Sequence, residues 1–311
     1  RPIVEAFDGR LIYAGGDDVV ALLPADAALA CAKALRLAFR GSPKLKSLLQ
    51  AQASQLRARH QAAQNSDPEA LPPPYYQKLA AEGCLLDCAA EGFLRRLDCV
   101  DQQDRPIPFL VPGPAADCSV GIAIAHFKAP LQDVVRAAHA AEKRAKKTLG
   151  RSAVAITLFK RSGETIEWGC KWEDGGLDLY GAIAEALKDN QLSAKFPHRV
   201  IELLDPYLTR KTGISKLEPT KDFKDNADQI IHKEFAIACD RQKGPKWDSD
   251  LPRRLNDFLS NYLSAPAVSD ATDDRLTELK LERVIGLCQT VAFAHRTSAD
   301  EVETAEKQNT P

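Results

Sequence analysis

The chain has 311 residues, 44% hydrophobic and 27% charged, with a net charge of −1. This is the composition of a globular protein long enough for two domains, each with its own core. It excludes a general electrostatic hold on nucleic acid, so any such contact must come from a local patch. No apolar run is long enough to span a bilayer and no signal-peptide pattern opens the chain, so neither a membrane partner nor export is expected. The chain begins with Arg1 and contains no methionine, and is therefore expected to be the C-terminal part of a longer protein.

In chain order, Pro2 to Phe7 suits either a helix end or a strand, and Asp8-Gly9 breaks it. Next come two strand-like runs, Leu11-Ile12-Tyr13-Ala14 and Val19-Val20-Ala21-Leu22-Leu23, around Gly15-Gly16-Asp17-Asp18. Glycines at such a turn accept positive φ and let a ligand come close. Adjacent aspartates supply the hard oxygen donors that Mg²⁺ or Mn²⁺ takes, usually together with substrate phosphates. Gly and Asp are also ordinary turn residues, so the tetrapeptide alone leaves both readings open. Asp26 is the expected N-cap of a helix over Ala27 to Arg40, ended by Gly41-Ser42-Pro43.

Residues from about 43 to 117 read as an insertion. It holds a polar helix over Lys44 to Gln61, a loop over Asn65 to Pro74, a second helix over Tyr75 to Leu97 and a Pro/Gly-rich run from Arg105 to Pro114. The cations Lys44, Lys46, Arg57 and Arg59 suit either a solvated helix face or an RNA contact. Val120 to Ala125 has buried-strand character, and Pro130 suits the first turn of a helix from Leu131 to Lys147. Lys143, Arg144, Lys146 and Lys147 close that helix, where they complement its dipole and are equally placed to meet phosphates. Ala153 to Phe159 and Thr165 to Trp172 form a hairpin whose second strand buries Ile166, Trp168, Cys170 and Trp172 on one face. Five amphipathic helices are predicted after Gly175-Gly176: Leu177 to Lys188, Arg199 to Leu208, Asp225 to Cys239, Pro252 to Leu263 and Asp274 to Ala294. Together they suggest a bundle. The last dozen residues are expected to be disordered.

The eight cysteines are scattered. Without a secretory signal they do not read as a disulfide framework. Cys84, Cys88, Cys99 and Cys118 are close enough in sequence to be weighed as zinc ligands. No C-x-x-C pair supports that, and Cys84 and Cys88 fall in the stretch predicted helical, where small buried thiols are common.

The order hairpin, helix, insertion, strand, helix, hairpin matches a ferredoxin-like sheet with helices on one face. The residues Ile12-Tyr13-Ala14-Gly15-Gly16-Asp17-Asp18, Ala21 to Pro24, Ser119 to Leu131, Ala141 to Lys146 and Gly150 to Ala153 resemble the large palm-domain subunit of type III CRISPR effector complexes, most closely the Cmr type. The specific likeness runs over roughly residues 10 to 172. It implies an α+β fold, with a ferredoxin-like, GGDEF/cyclase-like palm over 1–174 that carries the insertion. An all-α, thumb-like domain over 175–298 and a disordered tail over 299–311 would follow.

The resemblance further implies a cytoplasmic, antiviral nucleotidyltransferase that makes cyclic oligoadenylate from ATP when target RNA is bound. Mg²⁺ or Mn²⁺ would occupy a two-metal site. Its partners would be ATP, guide RNA and target RNA through the complex, and the other effector subunits. Asp17 and Asp18 are then the expected catalytic residues and metal ligands, and Gly15 and Gly16 the places where nucleotide meets backbone. Lys146 falls where diguanylate cyclases carry a lysine that meets the triphosphate, and Ser119 and Lys128 are further candidates for nucleotide contact. The family's nuclease domain, first palm, zinc module and upstream metal ligand are not in this sequence, and this chain alone is expected to be inactive. Two alternatives stand beside this reading: an inactive palm that scaffolds guide RNA and effector subunits, and a diguanylate-cyclase-like enzyme. The second is disfavoured by Val19 after Asp18, where that family has an acidic residue and then an aromatic.

Overall fold

The computed structural model describes residues 1–16, 18–66, 86–90, 93–210, 217–265 and 273–308. The fold is α+β, and the chain divides into two compact units, Arg1–Cys118 and Ser119–Pro311. The domain boundary expected near residue 174 falls inside the second unit.

The first unit opens with a short helix, α1 (Pro2–Ala6), which settles the ambiguous start in favour of a helix. The hairpin β1 (Arg10–Gly15) and β2 (Asp18–Leu22) follows, then α2 (Ala25–Arg40) and α3 (Lys44–Ser66). α2 starts at Ala25 directly after Pro24, so Asp26 lies inside the first turn and is not the expected cap. A carboxylate there still interacts favourably with the helix dipole. Gly41 ends α2 in the left-handed conformation, φ 61°, as the sequence predicts; only glycine takes that geometry without a Cβ penalty. Val4, Phe7, Cys31, Ala34, Leu45 and Leu49 make the core of this unit, with Leu11, Ala21 and Leu23 of the hairpin region packed against it. Burial pushes the Cys31 thiol up to about 12, so it behaves as an inert apolar group.

The insertion departs from its expected course. Where one helix is predicted over Tyr75 to Leu97, the chain forms β3 (Leu86–Ala90) and β4 (Phe93–Val100), and β5 (Pro106–Leu110) falls in the predicted Pro/Gly-rich run. The three make an antiparallel sheet of order β3-β4-β5. The Ala/Leu content favours a helix only while no partner strand competes. β4 has a partner on both sides, and Leu94 is buried against the core of the unit. Cys88 therefore lies on a strand, and Cys84 lies outside the described residues. The predicted loop after Ser66 also lies outside them, as do the side chains of Arg57 and Arg59.

A clasp closes this unit. Asp117 accepts hydrogen bonds from Arg36 at 2.8 and 2.7 Å and from Arg40 at 3.0 Å, tying the end of the insertion to α2. Burial alone would raise the Asp117 carboxyl, but the Arg36 bonds, the Cys118 N–H and the Arg40 charge outweigh it and hold it below its usual range. A depressed carboxyl stabilises the fold above the ordinary carboxylate pKa, and that contribution fades as pH falls through the lowered value. Asp117→Asn is expected to cost about 2 kcal/mol near neutral pH and to flatten the acid limb of stability. Urea midpoints measured across the acidic range check this; an unchanged acid limb would refute the clasp.

The second unit begins with β6 (Val120–Ile124), α4 (Leu131–Lys147), β7 (Ala153–Phe159) and β8 (Thr165–Lys171), in the sheet order β6-β7-β8. β6 and β7 are parallel, joined through α4, and β8 returns antiparallel to β7. α4 lies close on the sheet because the seam is made of small residues. A Cβ on Gly121 would stand 2.2 Å from the Glu142 backbone nitrogen, and Ala141, Ala145, Ala153 and Ala155 are completely buried.

After β8 come α5 (Gly176–Lys188), α6 (Phe196–Leu204), the short strand pair β9 (Leu208–Arg210) and β10 (Leu217–Pro219), α7 (Lys221–Arg241), α8 (Leu251–Ser264) and α9 (Asp273–Gln308). α9 extends as a helix to Gln308, through most of the segment expected to be a disordered tail; no Gly or Pro interrupts it after Gly286. A buried polar network fastens these helices to β8. Trp168 Nε1 donates to Tyr262 Oη at 3.0 Å, and Arg283 lies 4.1 Å from the Tyr262 ring centroid. Arg283 also donates to Asp174 at 2.7 Å. Burial is the main influence on the Asp174 carboxyl and raises it, and the Gly176 N–H and Arg283 offset only part of that. No helix among the described residues is long and apolar enough to cross a membrane.

Candidate functional site: the β1–β2 hairpin tip

Gly15 pairs with Asp18, so β1 and β2 are joined by a tight turn that Gly16 opens. Gly16 has φ 61°, and a Cβ there would meet nothing within 4 Å. Its requirement is therefore conformational, the left-handed backbone that tight hairpins impose. Asp17 lies outside the described residues.

The register shifts between Leu11 and Tyr13, which makes Ile12 the extra residue of a bulge. Leu11 thereby pairs with Ala21 on the face that meets the core of the unit. Tyr13 pairs with Val20, and Tyr13, Gly15, Asp18 and Val20 share the opposite face. Asp18 is exposed, and Tyr13 is 57% exposed beside it. A Cβ on Gly15 would come within 2.2 Å of the Tyr13 hydroxyl, so the tyrosine ring covers the bare backbone of Gly15. The tip therefore presents a carboxylate, an aromatic ring and two glycines on a surface turned away from the core. Period-two alternation alone would have put Leu11 and Tyr13 on one face. The bulge separates them, and it follows from pairing with β2, which no local pattern in β1 announces.

The donor set suits a hard divalent cation in kind, since a carboxylate on an exposed turn is free to approach one. Among the described residues no three His, Cys, Asp or Glu side chains gather into a metal-binding group. Asp18 is the one described member of the expected pair.

Residues 1–56 match the family described as Cas10/Cmr2, second palm domain. Over that segment the chain is similar to a Cas10/Cmr2 palm. The glycine–aspartate turn lies within the matched segment. No curated protein matches the chain.

The other expected site residues lie in the second unit, beyond the part matched to the Cas10/Cmr2 palm. Ser119 leads into β6, whereas Lys128 follows its other end. α4 runs back along β6, with Gly121 level with Ala138 and Glu142, so Lys146 lies toward the Ser119 end. Ser119 and Lys146 thus share one end of this layer and Lys128 stands at the other. Lys146 forms an ion pair with Glu142. Of the four cations closing α4, Arg144 is turned inward. It donates to the Ile156 carbonyl at 2.7 Å and to Glu167 at 2.7 Å, and burial lowers its pKa. Arg144 therefore holds α4 to β7 and β8.

Proposed function

We propose that this type III CRISPR effector subunit makes cyclic oligoadenylate from ATP at the β1–β2 turn when target RNA is bound to its complex. The observation that carries the proposal is the exposed Gly15-Gly16-turn-Asp18 tip, built on a bulged hairpin inside the palm-matched segment. In the same reading the palm is ferredoxin-like and the helices from α5 onward are thumb-like.

The reaction removes the proton of a 3′-hydroxyl, forms a bond from that oxygen to an α-phosphorus and releases pyrophosphate. Asp17 and Asp18 would hold Mg²⁺ or Mn²⁺, which when bound favours the deprotonated hydroxyl and offsets charge on the leaving pyrophosphate. Gly16 keeps the turn free of side-chain bulk, and Asp17 and Asp18 are consecutive in the sequence. Lys146 and Ser119 are the candidates for the triphosphate, where a lysine supplies a compact positive charge.

The test is to incubate the subunit, assembled with guide RNA and its partner subunits, with ATP, Mn²⁺ and a matching target RNA. Products are then resolved by mass. Cyclic adenylates are expected only with matching RNA, and are expected to vanish in the Asp17→Ala, Asp18→Ala double variant. A complex that binds its target yet yields no product would replace this reading with that of a scaffold.

A further inference from the structure

Apart from Lys128, the loop after β6 and the outer face of α4 hold none of the residues named for nucleotide contact. Phe127, in that loop, is 85% exposed, more than any other large hydrophobic side chain among the described residues. A single exposed phenylalanine is ordinary; the setting of this one is not. The His126 ring lies 4.4 Å from it at an interplanar angle of 36°, and Lys128 Nζ lies 5.6 Å from its centroid. The loop is fixed by its own hydrogen bonds. The Ala129 N–H donates to the His126 carbonyl at 2.8 Å, and the Lys128 N–H donates to His126 Nδ1 at 3.3 Å. An aromatic pair with a cation beside it is therefore held out on a tight turn.

α4 starts four residues after Phe127. Its inner face is sealed against the sheet by the glycine–alanine seam, so its outer face is fixed. That face carries Gln132, Arg136, His139, Lys143 and Lys147, all exposed and spaced as one helical row. The helix holds five Lys and Arg against two Asp and Glu, in a chain whose net charge is −1. From Arg136 to Lys147 the row runs about 16 Å, long enough to pass several phosphates of a strand.

We propose that this surface binds single-stranded RNA, with one unpaired base stacked on Phe127 and the following phosphates running along the outer row of α4. Exposed aromatics beside a positive track are how sequence-tolerant single-strand binding is built. A duplex hides its base faces from the ring, and a free mononucleotide cannot use the length of the row. The inference is independent of cyclase activity.

The test uses the full chain and a short unstructured RNA with a central 2-aminopurine, whose fluorescence drops on stacking. Binding is expected to quench it. Phe127→Ala is expected to abolish the quenching and weaken binding about five-fold or more, with Phe127→Trp restoring both. Because Phe127 is exposed, thermal unfolding of each variant should match the parent. Lys143→Gln with Lys147→Gln is expected to lower the salt-dependence slope by about 1.4, while quenching persists at low salt. The proposal is overturned if Phe127→Ala binds like the parent. It is also overturned if the chain does not bind the RNA, or binds duplex RNA or phosphatidylserine vesicles as tightly.

Discussion

Asp18→Asn is expected to reduce cyclic adenylate synthesis by the assembled complex at least about 1,000-fold without changing the stability of the chain. The substitution keeps the size of the side chain and removes its charge. Asp18 joins the hairpin through backbone pairing with Gly15, and its side chain is exposed on the face turned from the core. Surface exchanges of this sort normally shift stability by less than about 0.5 kcal/mol. The urea midpoint should therefore stay where it is, and the complex should assemble and bind target RNA as before. A neutral amide is a far poorer partner for a hard cation than a carboxylate, so the loss should fall on turnover. An Asn variant that makes product at the parental rate would remove Asp18 from the chemistry. A variant that unfolds would instead show that the carboxylate supports the turn.

Features with a local cause were legible in the sequence. Gly41 ends α2 because a left-handed cap needs glycine, and the alternation of Ile166, Trp168 and Cys170 marks the buried face of β8. Helix and strand were correctly anticipated from Val120 to Lys171, where each segment carries its own period and breakers. The failures are pairings between distant residues. The composition of β4 predicts a helix because its partners, β3 on one side and the proline-rich β5 on the other, are not visible in it. The clasp of Arg36 and Arg40 on Asp117 joins positions some eighty residues apart, beyond the reach of any motif.

The candidate site divides the same way. Gly15, Gly16 and Asp18 meet at one tip because a tight hairpin turn brings its own neighbours together. Ser119, Lys128 and Lys146 are candidates through the family resemblance. The crossover from β6 into α4 leaves Ser119 and Lys146 at one end and Lys128 at the other, since a strand followed by an antiparallel helix puts the loop between them at the far end. Arg144 differs from Lys143 and Lys147 for a related reason. One step around a helix changes the face, and its face is the one that looks onto Ile156 and Glu167. A basic cluster in a sequence thus contains both a structural clamp and an open charged row, and only the helix phase against the sheet tells them apart.

That phase rests on Gly121, and its replacement by alanine is expected to destabilise the second unit by about 3 kcal/mol, near the upper end for overpacking. The added Cβ would stand 2.2 Å from the Glu142 nitrogen and 2.3 Å from the Ala138 carbonyl oxygen. Both are backbone atoms of a helix, so neither can turn aside; α4 as a whole would have to lift. Lifting it opens the seam where Ala141, Ala145, Ala153 and Ala155 are now completely buried. Alanine also narrows the unfolded ensemble, a gain of about 0.4–1 kcal/mol, which is too small to offset the clash. Gly181 supplies the contrast. It lies inside α5, and a Cβ there would meet nothing within 4 Å. Gly181→Ala should therefore stabilise by about 1 kcal/mol through helix propensity alone. Urea unfolding of the two variants side by side separates contact from propensity. If both shift the midpoint upward, α4 does not lie on β6 as closely as described, and the fixed outer row argued for RNA binding loses its support.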